Sequence, residues 1–195
     1  MARSLSTYLR LNKMDITPEF SVIILTYNES QHLPRLLKSL EGLTYDLFIL
    51  DSGSTDDTIQ IAKKYKANIL VNAFENHPKQ WDFALKNFKI RTPWIIGLDA
   101  DQIILPELYG RLKNFNSADI DPEINGIYFN RKNYFKGRWL KYGGYFPKYL
   151  LKMFRTGVGH SDLNENMDHR FVVEGKKEIK AFCLQNFIFI YEKAF

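Results

Sequence analysis

Cysteine is nearly absent. The single Cys183 among 195 residues excludes an internal disulfide, and no group of Cys and His has zinc-site spacing, so a reducing, cytoplasmic setting is expected. Long apolar runs are missing too. Phe182 to Tyr191 is interrupted by Gln185 and Asn186 and is too short to cross a bilayer as a helix. Met1 to Phe20 contains Arg3, Arg10 and Lys13 with no apolar block, which excludes a secretory signal and leaves residues 1–19 as an N-terminal arm. Glycine-rich phosphate loops are lacking as well. The turn after the first apolar run reads Thr26-Tyr27-Asn28-Glu29 rather than GxGxxG, and there is no GxxxxGK[ST]. A bound nucleotide would therefore be held by side chains and a metal instead of a backbone cradle. No order of Ser, His and Asp suggests a hydrolase triad, and His32, His77, His160 and His169 are too dispersed to form a metal site.

What is present begins with an uneven charge. The net +5 divides into 14 basic against 16 acidic residues over 1–130, a net of −2, and 13 against 6 over 131–195, a net of +7. Arg131, Lys132, Lys136, Arg138, Lys141, Lys148, Lys152 and Arg155 follow one another without an acid and with eight aromatics between them. Such a segment expects an anionic partner. Its plainer reading is a solvated face whose aliphatic stems cover core aromatics.

The first half alternates buried-strand runs with helical periodicity, the pattern of an α/β sheet flanked by helices. Phe20 to Leu25, Leu47 to Leu50, Asn68 to Val71 and Pro93 to Leu98 read as strands. Leu33, Leu36, Leu37 and Leu40 predict a helix capped by Ser30 and stopped at Gly42. Ile59, Ala62 and Tyr65 predict a second, capped by Ser54, and Trp81, Ala84, Leu85 and Phe88 a third. Beyond Gln102, Pro106 opens a helix carrying Leu108, Leu112 and Phe115, and Ile124 to Phe129 reads as a strand. The aromatic-basic segment predicts antiparallel strands joined at Gly143-Gly144, so the second half is α+β.

In an open α/β sheet, ligands bind outside the carboxyl ends of the strands. Three such ends carry polar groups: Thr26 to Glu29, Asp51 with Ser52, and Asp99 with Asp101. Any one of them alone is most simply a turn residue or cap. Asp99-Ala100-Asp101 is different, because two carboxylates at the mouth of a buried strand are costly without a cation. Oxygen ligands of this kind suit Mn2+ or Mg2+ with substrate phosphates completing the shell.

The segments Ser21 to Glu29, Leu50 to Asp56 and Leu98 to Asp101, in this order, resemble the family 2 glycosyltransferases of the GT-A fold, a Rossmann-like mixed sheet flanked by helices. Lys79-Gln80, Gly143 to Pro147, Met153-Phe154-Arg155 and Asn164-Glu165-Asn166-Met167-Asp168-His169 resemble the bacterial subgroup that adds sugars to lipopolysaccharide core or related cell-surface polysaccharides. The resemblance implies a single glycosyltransferase domain over 20–195, with a nucleotide-sugar half at 20–102 and an acceptor-side half at 103–195. At 195 residues it is short for that family, so a compact or truncated member is expected.

The same resemblance implies roles. Asp51 would bind the base or ribose of a UDP-sugar, within a pocket that includes Thr26, Tyr27, Asn28, Glu29, Ser52, Lys79 and Gln80. Asp101, with Asp99, would hold a divalent ion on the diphosphate, and Arg155 or Lys152 would approach that diphosphate. Asp168 or Glu165 would be the base of an inverting transfer, although His169 stands where a second acid is expected after Asp168. Trp139, Tyr142 or Tyr145 could stack on sugar rings. The acceptor would be a glycan or lipid-linked glycan in cell-envelope synthesis, and the basic segment 131–155 would contact an anionic membrane surface peripherally. Two other classes compete: an Asp-x-Asp phosphatase, disfavoured because the motif follows the fourth strand and precedes Gln102, and a non-catalytic nucleotide-sugar or nucleic-acid module. For the latter, Asp99 and Asp101 would repel a polyanion, so no nucleic-acid partner is expected.

Overall fold

The computed structural model describes residues 17–144, 146–164 and 170–187, side chains of 178–187 excepted. Strand β1 (Phe20–Thr26) is buried over its whole length because both of its faces are covered. Val22 and Ile24 join one core, while Ile23 and Leu25 join another. On β2 (Asp46–Asp51) the alternation repeats, with Leu47 and Ile49 on the first side and Phe48 and Leu50 on the second. Two-sided burial is why these strands read as unbroken apolar runs. Helices α1 (Leu33–Ser39), α2 (Thr58–Lys64) and α4 (Pro106–Lys113) supply the first core through Leu33, Leu36, Leu37, Ala62, Leu108 and Leu112. Helix α3 (His77–Asn87) supplies the second through Trp81 and Ala84.

Among the described residues, nine strands form one mixed sheet. The remaining members are β3 (Asn68–Val71), β4 (Trp94–Asp99), β5 (Gln102–Ile104), β6 (Ile124–Phe135), β7 (Arg138–Trp139), β8 (Tyr149–Arg155) and β11 (Lys176–Phe187). The order is β3-β2-β1-β4-β8-β6-β11-β5, with β7 paired to β6. Strands β1 to β4 are parallel, and β8 runs antiparallel between β4 and β6. The order reverses between β1 and β4, which puts a ligand crevice beyond Thr26 and Asp99. A separate pair, β9 (Gly159–Ser161) and β10 (Phe171–Val173), closes the second core. There Phe171 meets Trp81 edge-on at 4.8 Å and Phe154 at 4.7 Å between ring centroids.

Gly97 makes that closure possible. A Cβ at this position would stand 2.5 Å from two ring carbons of Phe171 and 3.2 Å from Trp81. Gly97→Ala is therefore expected to cost about 1–3 kcal/mol through overpacking. Urea unfolding measures this, and an unchanged midpoint would show that Phe171 is free to retreat.

Several local expectations are corrected. Helix α1 begins after His32, which makes no side-chain cap bond, and the Ser30 amide instead donates to Asp56 at 3.0 Å. Helix α2 turns Thr58, Ile61, Ala62 and Tyr65 inward rather than Ile59, and Ser54 is bound to Asp51 instead of capping it. Strand β6 continues six residues past Phe129, and β5 and β11 were not anticipated. The second half thus extends the first half's sheet.

Candidate active site

A cleft of about 1510 Å3 opens over the carboxyl ends of β1 and β4. It exceeds the roughly 300–1,000 Å3 usual for one small ligand. One wall comes from the β1 end and its loop, through Thr26, Tyr27, Asn28 and Glu29, together with Ser52 and Gln80. Asp99 and Asp101 form the floor, and Tyr128, Arg131, Lys148, Tyr149, Lys152 and Arg170 form the opposite wall.

Asp51 builds the first wall from beneath. It is buried, and its carboxylate accepts four hydrogen bonds. Thr26 Oγ1 and Ser54 Oγ donate to Oδ2 at 2.8 and 2.5 Å, and the Gly53 and Ser54 amides donate to Oδ1 at 2.9 and 2.7 Å. The β1 loop is stitched to the same turn: the Asn28 amide donates to Ser54 Oγ, and Asn28 Oδ1 accepts from the Thr55 amide, each at 2.8 Å. Asn28 has φ 53°, a left-handed conformation that Asn tolerates better than most residues. Asp56 continues the stitching. Burial raises its pKa, but hydrogen bonds from Thr58 and Ser30 outweigh this and hold its carboxyl below the usual range.

Gln80 fixes the neighbouring loop. Its Nε2 donates to Ser52 Oγ at 2.9 Å and to the Asn72 carbonyl at 3.0 Å, while its Oε1 accepts from Asn72 Nδ2 at 2.8 Å. Ser52 is left facing the cleft. Lys79 is turned away, its Nζ paired with Glu75 on the exposed side of α3. Phe74 and His77 complete this edge, a contribution that no motif in the sequence signals.

At the floor, Asp99 Oδ2 accepts from Gln102 Nε2 at 2.7 Å and from Lys152 Nζ at 3.0 Å. The lysine side chain is only 7% exposed, whereas Asp99 is 39% exposed, so the pair is buried at its lysine end and open to the cleft at its carboxylate end. Asp101 is affected differently. Burial, then the charges of Asp99 and Glu29, push its pKa up to about 7 against a partial offset from Lys152. A carboxyl held that high marks a deficit of positive charge. Among the described residues no group of three or more His, Cys, Asp or Glu forms a cation cage. Asp99 and Asp101 could hold a hard cation only of the kind that takes one or two carboxylates and completes its shell with phosphate and water oxygens.

Arg155 corrects an expectation. It stands opposite Trp94 at the start of β4, far from the cleft, with its Nε and Nη2 donating to the carbonyls of Ile124 and Asp121. The basic segment thus has no single face. Lys132 and Lys141 flank the ring of Trp139, Tyr142 is exposed away from the cleft, and Lys136 and Arg138 are exposed at the β6–β7 turn. Glu165, Asp168, His169 and Tyr145 lie outside the described residues. Arg170, which follows that acidic segment, lines the cleft.

Known proteins resemble this chain in sequence and in fold. Residues 21–167 match the family model described as glycosyl transferase family 2. An uncharacterized glycosyltransferase of Rickettsia conorii is 31% identical over 53% of this chain and 36% of its own length. The lipopolysaccharide core biosynthesis glycosyltransferase LpsC of Rhizobium meliloti is 28% identical over 80% of this chain and 57% of its own length. The chain therefore spans only part of the length of either relative. Among solved structures, the S. aureus TarS fragment in complex with UDP superposes with a TM-score of 0.60 at 20% identity, covering 87% of this chain and 60% of that one. That likeness establishes the fold.

Proposed function

This chain belongs to glycosyl transferase family 2, and from that premise we propose that it transfers a sugar from a nucleotide-diphospho-sugar, a UDP-sugar by default, to a glycan or lipid-linked acceptor in cell-envelope synthesis. The observation that carries the reading is the convergence of the Thr26–Glu29 loop, Ser52 and the Asp99–Asp101 pair on one large cleft. The name of the Rhizobium relative supports the envelope context, and UDP in TarS supports the donor. No helix among the described residues is long and apolar enough to cross a membrane; the proposal sets the reaction on the cytoplasmic side, with a UDP-sugar as donor.

Within this reading, Tyr27 and Phe74, exposed at the cleft mouth, offer flat surfaces to the base, and Ser52, held by Gln80, offers a hydroxyl. Asp51 shapes the pocket instead of touching the nucleotide. Asp101 and Asp99 would hold Mn2+ or Mg2+, which when bound supplies Lewis-acid stabilisation of the departing nucleoside diphosphate. Lys152 keeps the Asp99 carboxylate in place. Asp168 or Glu165 removes the proton of the acceptor hydroxyl as it attacks the anomeric carbon opposite the leaving group, which inverts the configuration. A panel of nucleotide-sugars tests the proposal by thermal stabilisation with and without manganese. A ligand selective for the folded protein raises its midpoint by mass action, and a panel without any such member would count against a nucleotide-sugar donor.

Asp101 also sets a pH dependence. A cation binds the carboxylate and not the acid, so with a pKa of about 7 the affinity for Mg2+ in the presence of UDP should rise from pH 6 to pH 8, with a proton released on binding. Calorimetry in two buffers of different ionisation enthalpy measures both. Constant affinity over this interval would place the cation elsewhere.

Peripheral membrane contact is assigned in this proposal to the exposed β6–β7 turn. Co-sedimentation with vesicles should increase with anionic lipid content and fall when Lys136 and Arg138 are replaced by Gln. Binding indifferent to lipid charge would remove this part.

A further inference from the structure

The wall opposite the donor loop contains two cations without a described counter-ion. Arg131 on β6 and Lys148 just before β8 are cross-strand neighbours, the Arg131 amide donating to the Lys148 carbonyl at 2.8 Å. Both side chains line the cleft. Among the described residues, neither side chain has a hydrogen-bond or ion-pair partner, and Arg131 Nε is buried and unsatisfied. Like charges placed side by side across two strands repel, and a buried guanidinium nitrogen without an acceptor carries a desolvation penalty. One oxyanion lying between them would remove both costs, because a guanidinium presents a planar fork to phosphate oxygens and an ammonium adds a point charge.

In the glycosyltransferase reading the donor diphosphate belongs to the other end of this wall. Lys152 marks its end of the cleft through Asp99, and four residues of strand separate Lys152 from Lys148, about 13 Å at the usual rise. Strand β8 is antiparallel to β4, so that distance runs outward from the sheet edge, toward the mouth where an acceptor enters. The side chain of Tyr149, exposed there beside Lys148, offers a flat surface for a sugar ring.

We propose that Arg131 and Lys148 form an acceptor subsite for a phosphate monoester, and that the acceptor is a phosphorylated saccharide. The proposal rests on the glycosyltransferase reading, since it is that reading which makes this wall the acceptor side.

The test is calorimetry on protein saturated with UDP and Mg2+, titrated with glucose, glucose 6-phosphate or inorganic phosphate as simple probes. Glucose 6-phosphate should bind at least tenfold more tightly than either of the others. That preference should vanish in Arg131→Gln/Lys148→Gln and weaken in Lys148→Gln alone, whose side chain is not part of the core, while UDP affinity stays within twofold of wild type. Equal binding of glucose and glucose 6-phosphate, no binding of either, or a preference that survives in the double variant would overturn the proposal. Inorganic phosphate binding as tightly as glucose 6-phosphate would overturn it too, because the site would then read the free anion. Loss of UDP affinity in the variants would move these cations to the donor and overturn it equally. Failure of UDP to bind the wild type would instead strike the donor reading, while the glucose 6-phosphate titration without UDP still reads the phosphate preference.

Discussion

Asp101→Asn should reduce sugar transfer by roughly 10²–10³-fold, the usual scale for removing one preorganised electrostatic stabiliser of a transition state, while making the ligand-free protein more stable at pH 8. The second half of this expectation is the unusual one. Burial, then the charges of Asp99 and Glu29, raise the carboxyl from its ordinary 3.8 to about 7. The folded state therefore binds more protons than the unfolded state between these values, so stability falls as pH rises across that interval and the cost is complete above it. An uncharged Asn avoids this cost. Turnover and thermal midpoint measured side by side at pH 5 and pH 8 give the signature: activity lost at both, and a midpoint gain larger at pH 8. A residue serving only to hold the loop would lose activity and stability together.

Asp51→Ala is expected to have the opposite signature, with stability and nucleotide binding lost together. Its carboxylate is buried and accepts from Thr26, Gly53 and twice from Ser54. Removing it strands two amides and two hydroxyls, and hydrogen bonds to a charged group contribute about 1.5–3 kcal/mol each when counted singly. Since the four act through one group they do not add, and a net loss of about 3–5 kcal/mol is expected, read by urea unfolding. The Ser54 hydroxyl would also be released from the turn that holds Asn28. Asp51→Asn should recover part of the stability by keeping one oxygen acceptor. A variant with normal unfolding but no affinity for UDP would show instead that Asp51 itself touches the nucleotide.

The contrast between these two acids shows what the chain makes legible. Strand-end position brings Thr26, Asp51 and Asp99 toward one crevice, and the apolar runs before them reveal the strands because two-sided burial excludes polar residues. What position alone does not reveal is how a carboxylate is used. Asp51 and Asp101 both follow buried strands, yet the Gly53-Ser54 turn folds back on the first, while burial and neighbouring carboxylates outweigh the donors around the second.

The basic segment was harder for a related reason. Arg155 pairs with Trp94 at the start of β4, whereas Lys152 reaches Asp99 at its end, so only one of them could reach the donor. That separation was legible once β8 was set beside β4. The placement of Arg131 beside Lys148 was not. It depends on the pairing of β6 with β8, which shifts register between Ile127 and Tyr128, and nothing in the residue types announces such a shift. Strand β11 was obscured likewise: its first half, Lys176 to Lys180, is mostly charged, and a strand of this composition is recognised only by its partners, β6 and β5. The spacing leaves the phase of α2 open because Ile59 and Ile61 are both apolar, and the helix packs against the core the one that shares a face with Thr58 and Ala62.

Calorimetric titration of UDP with and without manganese, on the wild type and on Asp101→Ala, tests the central claim most directly. The predicted result is binding by the wild type that strengthens at least tenfold with manganese, and no manganese effect in the variant. Absence of UDP binding by the folded wild type, with manganese present, would contradict it.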